Sequence, residues 1–342
     1  MKIKKILLSL NLFALPILFL SSCDTETVKQ IKFVDSVGQE KVVEAKKTED
    51  ADEVADILEA FMLNESAPIN LNNLAYSVNF NYYTVFKDSD TNKTTKSNMR
   101  LSSVVAYSFE NYDSYTEQYG YSLMKISGSM PISDRNMGFS ANVELFMDNY
   151  LNYIHVNQLS VPYQLFGPIA PQIKTIINKS VINKYLYTSL NDIINYASTY
   201  SEVDNYAPGI ENYTNYLQDP KEVIENYNSI LFSLFDLDDY DFSGSVENLD
   251  LKVKSVGSNT LTFSFNDESV IATFDLRNKL LLNLKMNRSS QSENEETSMA
   301  LNISFLPTYK AKRISEDDKA SATNLYDIIP QELIDSINDD YE

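Results

Sequence analysis

The spacing of apolar residues changes twice along this chain, from two to helical and back to two, and that change is what most limits the fold. Leu74, Tyr76, Val78, Phe80 and Tyr82 alternate with Ala75, Ser77, Asn79, Asn81 and Tyr83. Met99, Leu101, Ser103, Val105, Tyr107 and Phe109 repeat the pattern, followed by runs at Tyr119 to Met130, Met137 to Met147 and Tyr150 to Val156. Side chains of a strand point alternately to its two faces, so these runs predict half-buried strands. The polar clusters between them, Lys87 to Ser97, Asn111 to Thr116, Pro131 to Asn136 and Asp148-Asn149, are short. Short turns predict an antiparallel meander with one apolar face and one face of Ser, Asn and Thr.

From Phe242 onward the period is two again: Leu249, Leu251, Val253; Leu261, Phe263, Phe265; Val270, Ala272, Phe274; Leu280 to Met286; Met299 to Phe305. Between the two strand blocks the spacing is helical. Pro168 and Pro171 lead into Ile173, Ile176, Ile177 and Ile182, then Leu190, Ile193 and Ile194, and Pro220 leads into Val223, Ile224, Tyr227, Ile230, Leu231 and Leu234. Ahead of the first block, Val54, Ile57, Leu58, Phe61 and Met62 lie on one face of a helix over 51–64, with Asp50 or Asp52 as its cap. The expected fold is α+β: one large curved antiparallel sheet of about ten strands, a half-barrel, with helices packed on its concave face. Residues 307–342 are expected to form an acidic C-terminal tail, with a short helix at 325–337 interrupted by Pro330.

The N-terminus carries Lys2, Lys4 and Lys5, then an apolar run from Ile6 to Leu20, then Leu20-Ser21-Ser22-Cys23. A basic start, a short apolar stretch and small residues before a cut site form a secretion signal. The run is about 15 residues long, against the about 20 that a membrane span needs. Leu20 to Cys23 resembles the lipobox of bacterial lipoproteins. That resemblance implies removal of 1–22, acylation of Cys23 and a chain held by its acyl groups on the extracytoplasmic face of the cell membrane. Residues 23–50 are then the lipidated N-terminus and a tether. Within it, Ile31 to Val43 also reads as two short strands joined at Ser36 to Gln39.

Composition removes several classes of function. With 48 acidic against 28 basic residues, the net charge of −20 disfavours nucleic acid, whose phosphates need basic patches. Cys23 is the sole cysteine, so no disulfide forms within one chain. A single histidine, His155, rules out multi-histidine metal sites and is more simply a rim residue hydrogen-bonded to a neighbour than a lone base. No glycine-rich phosphate loop and no G-x-S-x-G occurs. Asp236 to Asp241 misses the oxygen spacing of a calcium loop and reads as a solvated acidic turn after a helix. No enzyme, cofactor or metal is expected. The abundance of Tyr and Asn reads first as codon bias and only second as a binding surface.

The order of elements over 51–306 (helix 51–64 running into Leu74 to Phe86, long central helices, a second meander) resembles the lipoprotein-carrier superfamily of LolA and LppX–LprG. The resemblance implies a half-open barrel that binds or transfers a lipid or other apolar ligand. Its ligand face would be Tyr76, Val78 and Phe80 with Met99, Leu101, Val105 and Tyr107. The alternative is a surface adhesin or structural lipoprotein with a filled core and no small ligand.

Overall fold

In the computed structural model the described residues are 29–35, 37–64, 73–88, 93–111, 116–132, 135–148, 151–189, 231–237 and 241–328. The alternating runs form long strands: β3 (Asn73–Lys87), β4 (Thr94–Asn111), β5 (Thr116–Ile132), β6 (Arg135–Asp148) and β7 (Leu151–Ser160). The second block gives β9 (Lys252–Val256), β10 (Thr260–Phe265), β11 (Val270–Asp275), β12 (Leu280–Gln291) and β13 (Glu295–Phe305). The two meanders become one sheet because β13 pairs with β3 along its whole length, from Glu295 opposite Phe86 to Phe305 opposite Tyr76. With β8 (Tyr185–Ser189) and β14 (Thr323–Asn324) the sheet has twelve strands in the order β14-β8-β7-β6-β5-β4-β3-β13-β12-β11-β10-β9. It is open, with β14 and β9 at its edges.

Register shows how the alternation sorts the two faces. One row of paired residues runs Val253, Phe263, Ala272, Leu284, Ile303, Val78, Ser103, Met124, Val143, Val156 across ten strands. This is the apolar face. The next residue along gives Lys285, Asn302, Asn79, Ser102, Lys125, Asn142, Gln158 on the polar face.

Each end of the sheet has its own core, and the two cores lie on opposite faces. At β9–β12 the apolar face is covered by α1 (Ala51–Leu63), by α3 (Phe242–Leu249) and by Leu231 and Phe235. The α1 helix starts where Asp50 Oδ1 accepts the Glu53 N–H at 3.1 Å, and Thr48 and Lys46 hold the Glu53 carboxylate at 2.6 Å each. Its buried stripe includes Val54, Ile57, Leu58, Phe61 and Met62, as the spacing predicts. The hairpin of β1 (Lys29–Val34) and β2 (Glu40–Ala45) buries Ile31 and Phe33 in the same core, so residues 29–45 belong to the folded body. At the other end, the segment 306–322, including α4 (Glu316–Ser321), crosses the polar face. There Ala311 and Ile314 close over Ala75, Ala106, Tyr121, Phe146 and Tyr153.

Four expectations are corrected. The sheet is mixed, not wholly antiparallel, because β14 runs parallel to β8. It has twelve strands, not about ten, because Tyr185 to Ser189, next to the helical spacing of Ile173 to Ile182, and Thr323-Asn324 also form strands. Phe242 to Leu249 is a helix, not the start of a strand: Asp241 caps it, and Phe242, Ser245 and Val246 form its buried side. The helices do not share one face. Between β7 and β8, α2 (Ala170–Ile176) buries no side chain, and α4 lies across from α1 and α3. Residues 1–28, 190–230, 238–240 and 329–342 lie outside the described residues. So do Cys23, most of the later central helices, half of the acidic turn and the end of the expected C-terminal helix.

Candidate functional site

All seven residues of the expected ligand face stand on the apolar face of β3 and β4. Tyr76 lies opposite Val105, Val78 opposite Ser103, Phe80 opposite Leu101, Tyr82 opposite Met99 and Leu74 opposite Tyr107. Their surroundings differ from those of the same face at β10, where Phe263 is fully buried. Val105 is 47 % exposed, and so in part are Phe86 (50 %), Met130 (38 %) and Leu145 (37 %). These four sit on four successive strands and point to the same side, with Val105, Ser122 and Leu145 directly in register. At Gly128 the Phe139 ring occupies the space a Cβ would need, at 2.6 Å, so this aromatic lies flat along the sheet.

His155 is tied into a cluster on the opposite face. Glu144 Oε1 accepts from the Tyr121 hydroxyl and from Lys312 Nζ, both at 2.8 Å. Its Oε2 is 3.3 Å from both His155 Nδ1 and Asn157 Nδ2. Burial pushes the Glu144 carboxyl up, but the four partners outweigh it and hold the group at about 2. Burial and then the bond to Glu144 push the Tyr121 phenol well above its usual range. An ionised carboxylate whose lone pairs are all occupied fastens the 306–322 segment; it has no free lone pair with which to take a proton from a substrate. The His155 ring also stacks on Tyr185 at 4.3 Å.

At the acidic turn, Asp241 spends its carboxylate on the Gly244 N–H at 2.9 Å, which caps α3. A Cβ at Gly244 would come within 2.3 Å of Asp241 Oδ2, so a larger residue there would oblige that carboxylate to turn. Among the described residues no three His, Cys, Asp or Glu side chains gather into a metal site, and no helix is long and apolar enough to cross a membrane.

Sequence reasoning passed over two hollows on the polar face, of about 590 and 480 Å³. They adjoin, sharing Asn81 and Arg100. Two neighbouring rows line them: Asn287, Ala300, Asn81, Arg100, Ser127, Ser140 and, one step on, Asn79, Ser102, Lys125, Asn142, Gln158. Their only trace in the sequence is Asn and Ser at the polar positions of successive strands, a pattern also produced by any solvated strand face. No family model matches the chain, and no curated protein matches it.

Proposed function

We propose that this chain is a membrane-anchored extracytoplasmic lipoprotein, acylated at Cys23, that binds or transfers a lipid or other apolar ligand on the apolar face of its sheet. In this reading the sheet curves as a half-barrel about the ligand, and Tyr76, Val78, Phe80, Met99, Leu101, Val105 and Tyr107 line the site. The supporting observation is the partial exposure of Phe86, Val105, Met130 and Leu145 on adjacent strands. Apolar groups gathered on one side of a sheet and left open mark an interaction surface, and a lipobox places that surface beside a bilayer. Stable anchoring takes two acyl chains or an equivalent second signal, which a diacylglycerol on Cys23 supplies.

Two measurements test the proposal separately. Metabolic labelling with a fatty acid tags the wild type and not Cys23→Ala; label kept by the alanine variant removes the anchor. Native mass spectrometry of the full chain from membranes, with fluorescent fatty acid uptake, tests the ligand. A wild type with neither bound lipid nor uptake overturns the binding role and leaves a structural or adhesive lipoprotein.

A further inference from the structure

We infer that the polar face of the sheet, from β12 to β7, binds an acidic polysaccharide. Its carboxylates meet Arg100 and Lys125, and its hydroxyls meet the surrounding amides. The inference is independent of the apolar ligand, which concerns the other face.

Charge carries the first step. The chain has 48 acidic residues against 28 basic, yet no carboxylate lines either hollow. Arg100 and Lys125 are both exposed, and neither forms an ion pair with another described residue, unlike the cations of the segment across the same face. There Lys312 is held by Glu144, and Lys319 by Asp148 and Glu316. Register sets Arg100 opposite Ser127 and Lys125 opposite Ser102. The two cations are therefore diagonal neighbours on adjacent strands, about 7–8 Å apart at the backbone. An anionic ligand meets two unspent positive charges inside a molecule that otherwise repels it.

Hydrogen bonding carries the second. The side chains of Asn79, Asn81, Asn287 and Gln158 bond to no other described residue, whereas Asn98 is already held by Ser129 at 2.7 Å. Asn142 Oδ1 is closed off from solvent and accepts from no described residue. The exposed amides of Asn81, Asn287 and their neighbours leave donors and acceptors open to solvent, where the hydroxyls of a sugar can replace water. Each amide offers an acceptor beside two donors, which matches adjacent hydroxyls on a ring. From β12 to β7 the face spans six strand spacings, about 29 Å, so it suits a chain of sugars. Single-stranded nucleic acid would need several aromatic platforms, and Tyr83 is the one aromatic side chain of the polar face among the described residues that line the hollows. A peptide added as a strand would need a sheet edge, and these strands are interior.

The test titrates the full chain in detergent with oligogalacturonate, alginate and hyaluronan fragments, against a neutral dextran fragment and inorganic polyphosphate. At least one uronic acid oligomer should bind best, and its affinity should fall as salt rises. Arg100→Gln and Lys125→Gln should each weaken it about tenfold, as for loss of a charge-assisted hydrogen bond. Lys184→Gln, an exposed lysine outside the hollows, should leave it unchanged. Thermal midpoints should stay at the wild-type value, because the side chains of Arg100 and Lys125 are exposed. Failure of all three uronic acid oligomers to bind overturns the inference. So does binding that Arg100→Gln and Lys125→Gln leave intact, or polyphosphate bound as tightly as the oligosaccharides.

Discussion

The two ends of the sheet are held by different physics. Under α1, Phe61, Phe235, Phe263 and Phe274 are all buried, with ring centroids 5.0–6.2 Å apart. That end gains its stability from apolar area removed from water and from edge-on aromatic packing. At β4–β8 the covering segment buries only Ala311 and Ile314 as apolar side chains, over a floor of tyrosines. It is fastened by particular polar links: Lys312 to Glu144, Lys319 to Asp148, the Ala311 N–H to Ser108 Oγ at 3.3 Å, and Arg313 stacked 4.1 Å over Tyr119. Apolar burial is tolerant of register and hard to undo. A polar latch specifies register and depends on ionisation.

The largest expected effect is at the first end. Phe61→Ala should cost about 3–5 kcal/mol, the usual penalty for emptying an aromatic site in a core, measured by urea unfolding. A cost under about 1 kcal/mol would show that the aromatic cluster is not what holds α1. Glu144→Gln should cost less, about 2 kcal/mol, as for charged hydrogen bonds, and should raise amide exchange in 306–322 without touching α1. The same latch has a pH signature. The Glu144 carboxyl is held at about 2 in the folded state, against 4.5 for the free group. Its contribution is complete above about pH 4.5 and is lost as pH falls toward 2. Wild type and Glu144→Gln should therefore differ at pH 6 and converge near pH 2 in unfolding midpoint; a gap unchanged across that range would remove the ionised latch.

At the first end α1 and the strands β9 to β12 were legible in the sequence because they follow single periodicities, whereas α3 read as strand. Val54 to Met62 keep helical spacing, and Leu261 to Phe265 keep strand spacing. One sheet built from both meanders was expected, but not the strands that join them, since nothing local dictates that β3 takes β13 as its partner. The latch was hidden for the same reason. Ala311 and Ile314 are too few to set a period within Lys310 to Lys319, so that stretch reads as a charged tail until Glu144, far away in sequence, comes within reach of Lys312. The apolar stripe of Tyr76 to Tyr107 was legible as one face, because two-residue alternation leaves no other arrangement. The pairing of Arg100 with Lys125 needed the β4–β5 register.

The smallest expected effect joins the two ends. Val105 shares the apolar face with Phe263 but lies several strands away, where α1 and α3 no longer cover it. A carboxylate placed in the packed part of this face would lose its water without gaining a partner, a cost of several kcal/mol. At 47 % exposure, the carboxylate of Val105→Asp keeps its hydration. What remains is the weaker preference of aspartate for a strand, about 1 kcal/mol at most. The thermal midpoint of this variant should therefore drop much less than that of Phe61→Ala, while its uptake of a fluorescent fatty acid falls. A midpoint that collapses as far as for Phe61→Ala would mean that the apolar face is packed at β4 as it is at β10. It would then have no room for a ligand. An unchanged uptake with an unchanged midpoint would mean that the ligand, if bound, lies away from β3 and β4.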